Sequence, residues 1–152
     1  MNPGGASDSP GDLGALPAGV RIAVLLPCYN EAGAIAQTVA EFRTALPQAA
    51  IYVYDNNSSD GSREIATAAG AVVRQARQQG KGHVVRRMFA DVDADIYIRA
   101  DGDATYEAAA APAMIGMMLD QHSDMAVGAR TPEVEAAYRR GHRPGNKRLT
   151  GL

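Results

Sequence analysis

"RIAVLLPCYNEAGAIAQTVAEFRTALPQAAIYVYD", Arg21 to Asp55, decides the fold. Within it "IAVLL" (22–26) is a short continuous apolar run, the pattern of a parallel strand covered on both faces. Ile35, Val39, Phe42 and Leu46 then recur at i, i+4, i+7 and i+11, one stripe of a helix, and Pro47 ends it. "IYVY" (51–54) is a second strand. Working outward, "AVVR" (71–74), "IYIRA" (96–100) and "MAVG" (125–128) read as further strands, while 62–69, 83–90 and 112–119 read as helices, the first of these stopped by Gly70. Strand, helix, strand repeated in this way predicts an α/β domain with a mostly parallel sheet sandwiched by helices.

Composition narrows the classes. The chain has 152 residues, 46% of them hydrophobic, which is enough for one core. Its formal charge of −2 gives no global reason to expect nucleic acid as a partner, so any anion site is local. The lone Cys28 excludes an intramolecular disulfide, and with no CxxC or Cys/His cluster a structural zinc site is not expected; a reducing, cytoplasmic setting fits. The longest apolar candidate, "AAAAPAMIGMML" (108–119), is too short to span a bilayer and is interrupted by Pro112, so no transmembrane segment is expected. Residues 1–20 lack the basic start and apolar core of a secretory signal, and their Gly, Pro, Ser and Asp content suits a disordered leader. The domain then runs from 21 to 130, with a basic tail at 131–152.

In parallel α/β sheets, ligands sit beyond the C-terminal ends of the strands. There the chain carries "PCYNE" (27–31), "DNNSSDGS" (55–62), "RQQGKGH" (77–83) and "DGD" (101–103), all brought to one edge. "QGKGHVV" lacks the upstream glycine and the Ser/Thr of a Walker A loop, and no GxGxxG follows the first strand, so neither a P-loop nor a dinucleotide fingerprint is supported. The Gly-Lys-Gly turn before a helix still offers backbone N–H groups and the Lys81 ammonium to an anion; alternatively Lys81 is a solvated loop lysine. Asp101 and Asp103, one glycine apart, either form an acidic surface turn or converge on a hard cation, Mg²⁺ or Mn²⁺, which offsets their repulsion. Two side chains do not fill an octahedral shell, and the oxygens of a diphosphate would complete it, which points to a nucleotide-linked substrate.

These motifs, taken in order with the "GAR" at 128–130, resemble the family 2 GT-A glycosyltransferases, and most closely the branch containing dolichyl-phosphate mannose synthase and other polyprenyl-phosphate glycosyltransferases. The resemblance covers Arg21 to about Arg130. It implies a Rossmann-like GT-A sheet, with Pro27, Tyr29 and Glu31 walling a nucleotide pocket and Asp55 on the base. It also implies that Asp101 and Asp103 are the catalytic carboxylates on metal and diphosphate, that Gly102 allows close backbone approach, that Thr105 adds to the metal site, and that Arg130 pairs with phosphate oxygens. The implied reaction moves a hexose from a GDP-mannose or UDP-glucose type donor to an acceptor such as a polyprenyl phosphate.

Three departures stand out. Asn56 occupies a position where many members have a second aspartate, His83 follows Gly-Lys-Gly where a smaller residue is commoner, and the acceptor half is incomplete, as if the chain were truncated at the C-terminus. The tail opens with Thr131 as N-cap and Pro132 at N1, then turns basic (Arg139, Arg140, His142, Arg143, Lys147, Arg148), which suits either a solvated face or peripheral contact with an anionic membrane surface. The rival expectation is a non-catalytic nucleotide-sugar-binding module, alone or as partner of a longer glycosyltransferase. A sugar nucleotidyltransferase is disfavoured, because no Gly-rich, Arg-containing loop follows the first strand.

Overall fold

The computed structural model describes residues 18–104 and 108–129. Four strands, β1 (Ile22–Cys28), β2 (Ala50–Asp55), β3 (Val72–Gln75) and β4 (Ile96–Arg99), form one sheet in the order β3-β2-β1-β4. All three pairings are parallel. The helices are α1 (Ile35–Ala45), α2 (Ser62–Ala68), α3 (Lys81–Asp91) and α4 (Ala111–Asp120), the last entered through a 3₁₀ turn at Ala108–Ala110 with Pro112 in its first turn, where a missing N–H costs nothing. The expected α/β sandwich is the observed fold.

β1 shows why both faces of the sheet must be covered. Its side chains alternate, Ile22, Val24, Leu26 and Cys28 joining one core with Ile35, Val39 and Phe42 of α1, Ala66 of α2 and Ile115 of α4. Ala23 and Leu25 join a second core with Val84 and Met88 of α3. A strand apolar at every position fits this sandwich and would be a liability in a half-exposed sheet.

The chain steps from β1 to β2 to β3 in one direction, then returns to place β4 on the other side of β1. That reversal opens a crevice between the C-terminal ends of β1 and β4. "PCYNE" closes β1 and "DGD" comes one residue after β4, so the two become neighbours.

Two expectations need correction. The fifth strand expected at 125–128 is absent: that stretch is irregular, and Met125 and Val127 are 77% and 78% exposed. An apolar run becomes a strand only where a sheet edge supplies backbone partners, and among the described residues none is hydrogen-bonded to it through a ladder. The third helix starts at Lys81 rather than His83, with Gly80 as N-cap. Lys81 is therefore the first helical residue and not part of a loop. The first seventeen residues of the expected leader, Thr105, Arg130 and the tail with its Thr131–Pro132 helix start lie outside the described residues.

Candidate functional site

A cleft of about 310 Å³ opens at the crevice, lined by Pro27, Cys28, Tyr29 and Glu31 from the end of β1, by Asn56, by Gln79, Gly80, Lys81 and Val84 around the start of α3, and by Asp101, Gly102 and Asp103 after β4. Of the residues expected at the site, Pro27, Tyr29, Glu31, Lys81, Asp101, Gly102 and Asp103 are thus brought together. Asp55 stands apart from this lining. It is 1% exposed, its carboxylate accepts the Ser58 amide at 3.3 Å, and the Arg63 guanidinium lies 3.9 Å away.

One wall is laced by side-chain to backbone hydrogen bonds. The amides of Asn30, Glu31 and Ala32 donate to Ser58 Oγ, Ser62 Oγ and Asp60 Oδ2 at 2.9, 2.9 and 3.0 Å, and Asn30 Oδ1 accepts the Ser59 amide at 2.9 Å. These bonds fasten the β1–α1 turn to the β2–α2 turn. Asp60, fixed by Ser62 and by the Ala32 amide, is held below the usual carboxylate range.

Asn56 fastens that wall to the next. Its amide nitrogen donates to the carbonyls of Ala76 at 2.8 Å and Gln78 at 2.9 Å, and its oxygen accepts the Gly80 amide at 3.0 Å. Only a carboxamide supplies two donors and an acceptor at once. An aspartate there would face two carbonyl oxygens, so the departure from the family pattern at this position has a local physical reason. Asn56 sets the loop that presents Lys81, and the sequence signal for it was that departure itself.

On the far wall, Lys81 Nζ lies 2.6 Å from Asp101 Oδ1, with Arg99 at 3.9 Å from the same oxygen. Gly102 packs tightly: a Cβ there would meet Ile35 Cδ1 at 3.0 Å and the Pro27 carbonyl oxygen at 3.4 Å. Burial, followed by the nearby charges of Asp103, Asp101 and Asp60, pushes the Glu31 carboxyl above its ordinary value against the pull of Lys81. The cleft thus concentrates negative charge. Burial likewise pushes the Cys28 thiol up to about 11, which keeps it protonated and unsuited to nucleophilic work. His83 does not line the cleft; its Nε2 lies 3.2 Å from Gln78 Nε2.

Among the described residues no group of three or more His, Cys, Asp or Glu side chains is arranged to hold a metal ion. The carboxylates nonetheless suit a hard cation whose shell ligand oxygens complete: Asp101 and Asp103 stand on one turn with Glu31 in the same cleft, and the Lys81 ammonium holds the place on Asp101 Oδ1 that a cation would take.

The glycosyl transferase family 2 model matches residues 23–150. The chain belongs to glycosyl transferase family 2. Among relatives of this family-2 chain, protein RfbJ of Shigella flexneri is 52% identical over 124 residues, 81% of this chain and 96% of that protein. Glycosyltransferase AglJ of Haloferax volcanii is 35% identical over 134 residues, 87% of this chain and 44% of that protein. Among solved structures, glucosyl-3-phosphoglycerate synthase from Mycobacterium tuberculosis in complex with Mn²⁺, UDP and glucosyl-3-phosphoglycerate superposes with a TM-score of 0.65 at 26% identity, covering 78% of this chain and 46% of that one. The chain therefore spans nearly all of RfbJ and under half of the other two. No helix among the described residues is long and apolar enough to cross a membrane.

Proposed function

We propose that this chain binds a nucleotide-sugar donor in the cleft and takes part in transferring its hexose to an acceptor, with a divalent cation, Mg²⁺ or Mn²⁺, held by Asp101 and Asp103 on the donor diphosphate. The observation that carries this reading is the meeting of Asp101, Asp103, Lys81 and Glu31 in one cleft at the strand reversal of the sheet. The UDP and Mn²⁺ bound by the mycobacterial synthase support it.

When bound, the cation supplies charge stabilisation for the departing diphosphate. The chain's own residues do the rest. Lys81 and the positive N-terminal end of α3 offer positive charge to phosphate oxygens. Tyr29, 54% exposed, and Pro27 offer faces to a base or sugar ring. Interactions that strengthen as charge builds on the leaving oxygens lower the barrier more than they tighten ground-state binding.

For the acceptor we favour a polyprenyl phosphate, on the strength of the ordered motifs shared with that branch. An ionised phosphate nucleophile needs little help from a general base. Thr105 and Arg130 belong to this proposal through the family pattern alone.

Calorimetric titration of the purified chain with GDP-mannose and UDP-glucose, with and without Mn²⁺, tests the donor site. The expected result is metal-dependent binding that Asp101→Ala with Asp103→Ala abolishes, and absence of binding by a folded wild-type chain would sink the reading. Radiolabelled transfer to a polyprenyl phosphate then separates an enzyme from a module that binds the donor and transfers nothing.

A further inference from the structure

We infer that Thr38, on α1, is a positioning residue for the carboxylate turn, fixing the backbone of Asp103 and so its placement relative to Asp101. Thr38 is 2% exposed and lies one helical turn beyond Ile35, whose side chain meets Gly102. Its hydroxyl lies 3.3 Å from the carbonyl oxygen of Gly102 and accepts the amide of Ala104 at 3.1 Å. These groups belong to the two peptide units that flank Asp103. Each unit is planar, so restraining both restrains the two soft backbone dihedrals of Asp103, the ones that aim its side chain.

Two further details favour a role beyond local helix chemistry. The hydroxyl's one proton has two carbonyls within reach, Ala34 at 3.1 Å and Gly102 at 3.3 Å, and whichever takes it, a lone pair of the hydroxyl still accepts the Ala104 amide. Ala104 has φ +57, the left-handed region that residues with a Cβ avoid, and its amide is the one that Thr38 accepts. A helical threonine bonding only back to its own i−4 carbonyl would be replaceable by valine without effect on the turn. Here valine keeps the shape and leaves the Ala104 amide without this acceptor.

The hold on the turn stands on these contacts, whereas its consequence for cation and diphosphate rests on the donor-site reading above. The experiment measures both in wild type, Thr38→Val and Thr38→Ser: amide exchange at Ala104 by NMR, and Mn²⁺ affinity by calorimetry with UDP and, separately, GDP. Thr38→Val is expected to speed Ala104 exchange and weaken Mn²⁺ binding by about tenfold, the usual scale for groups that orient a metal ligand. Thr38→Ser, which keeps the hydroxyl, restores both. If the valine variant does not fold, Thr38→Ala takes its place with the same expectation. Unchanged Mn²⁺ affinity in the folded variant, or a serine variant as impaired as the valine one, overturns the positioning role and leaves the donor site standing. Failure of the wild type to bind Mn²⁺ with either nucleotide, while its Ala104 amide remains protected, overturns the donor-site reading and this role together.

Discussion

The two walls of the cleft are built differently. On the β1–β2 side, the turns after both strands and the loop before α3 are joined by hydrogen bonds between short polar side chains and backbone, with Asn56 and Ser62 themselves buried. On the β4 side, the turn at 101–104 is met by the Thr38 hydroxyl and by an ion pair whose lysine is 58% exposed. The first wall is set before any ligand arrives. The second is held partly by a partly exposed ion pair, so on the proposed donor reading a bound cation or phosphate would exchange partners there instead of creating a site from nothing.

Attacking the laced wall at its most connected residue gives the largest expected effect. Asn56→Asp places a buried carboxylate against the Ala76 and Gln78 carbonyls and should cost about 3 kcal/mol or more, read by urea unfolding. A loss below about 1 kcal/mol would mean that the lacing is not what holds the α3 loop. On the other wall, Lys81→Met should leave stability nearly unchanged, because the pair is exposed on the lysine side, while weakening UDP or GDP binding by roughly tenfold, the scale of one charge-assisted contact. Equal losses of stability from both variants would erase the contrast.

Gly102→Ala sharpens it on a smaller scale. The added methyl meets the tip of Ile35, which must shift by a few tenths of an ångström, so a cost of about 1 kcal/mol in thermal unfolding is expected. Glu31→Gln reports on charge. Because the folded-state pKa of Glu31 is raised, its ionisation opposes folding as pH rises through that value, and the substitution should raise the midpoint of unfolding at neutral pH and not at pH below the ordinary carboxylate value. Saturating Mn²⁺ with UDP should shrink the gain without abolishing it, since a cation relieves the repulsion from Asp103 and Asp101 and leaves the cost of burial, the larger cause, in place.

Much of this was legible in the residues. Four strands and four helices follow from apolar runs and the α1 stripe, because those patterns record burial directly. The run at 125–128 misleads for the same reason: it records apolarity and carries no information about whether a neighbouring edge is within reach. At the cleft, strand topology pointed to the loops that meet there, and the family resemblance picked out Pro27, Tyr29, Glu31 and Gly102 within them; these residues, Lys81, Asp101 and Asp103 line one cleft. Thr38 and Ser62 were not, since a buried hydroxyl inside a helix looks like any small polar residue until the carbonyl or amide beside it is known. Asp55 shows the opposite limit. Its place at the end of β2 was readable, but not that the Ser58 amide and Arg63 would engage it.

The placement of β1 has a consequence for synthesis. β2 follows β1 closely in the chain, whereas Asp95, whose carboxylate takes the Arg21 amide at 2.8 Å, lies 74 residues further on, just ahead of β4. A nascent chain that has formed the β1–β2–β3 portion still exposes the open backbone edge of β1 until residue 99 is available. During that interval the edge can pair with another growing chain. Slowing translation across residues 76–99 should therefore lower the yield of soluble protein, although the finished molecule would be unchanged.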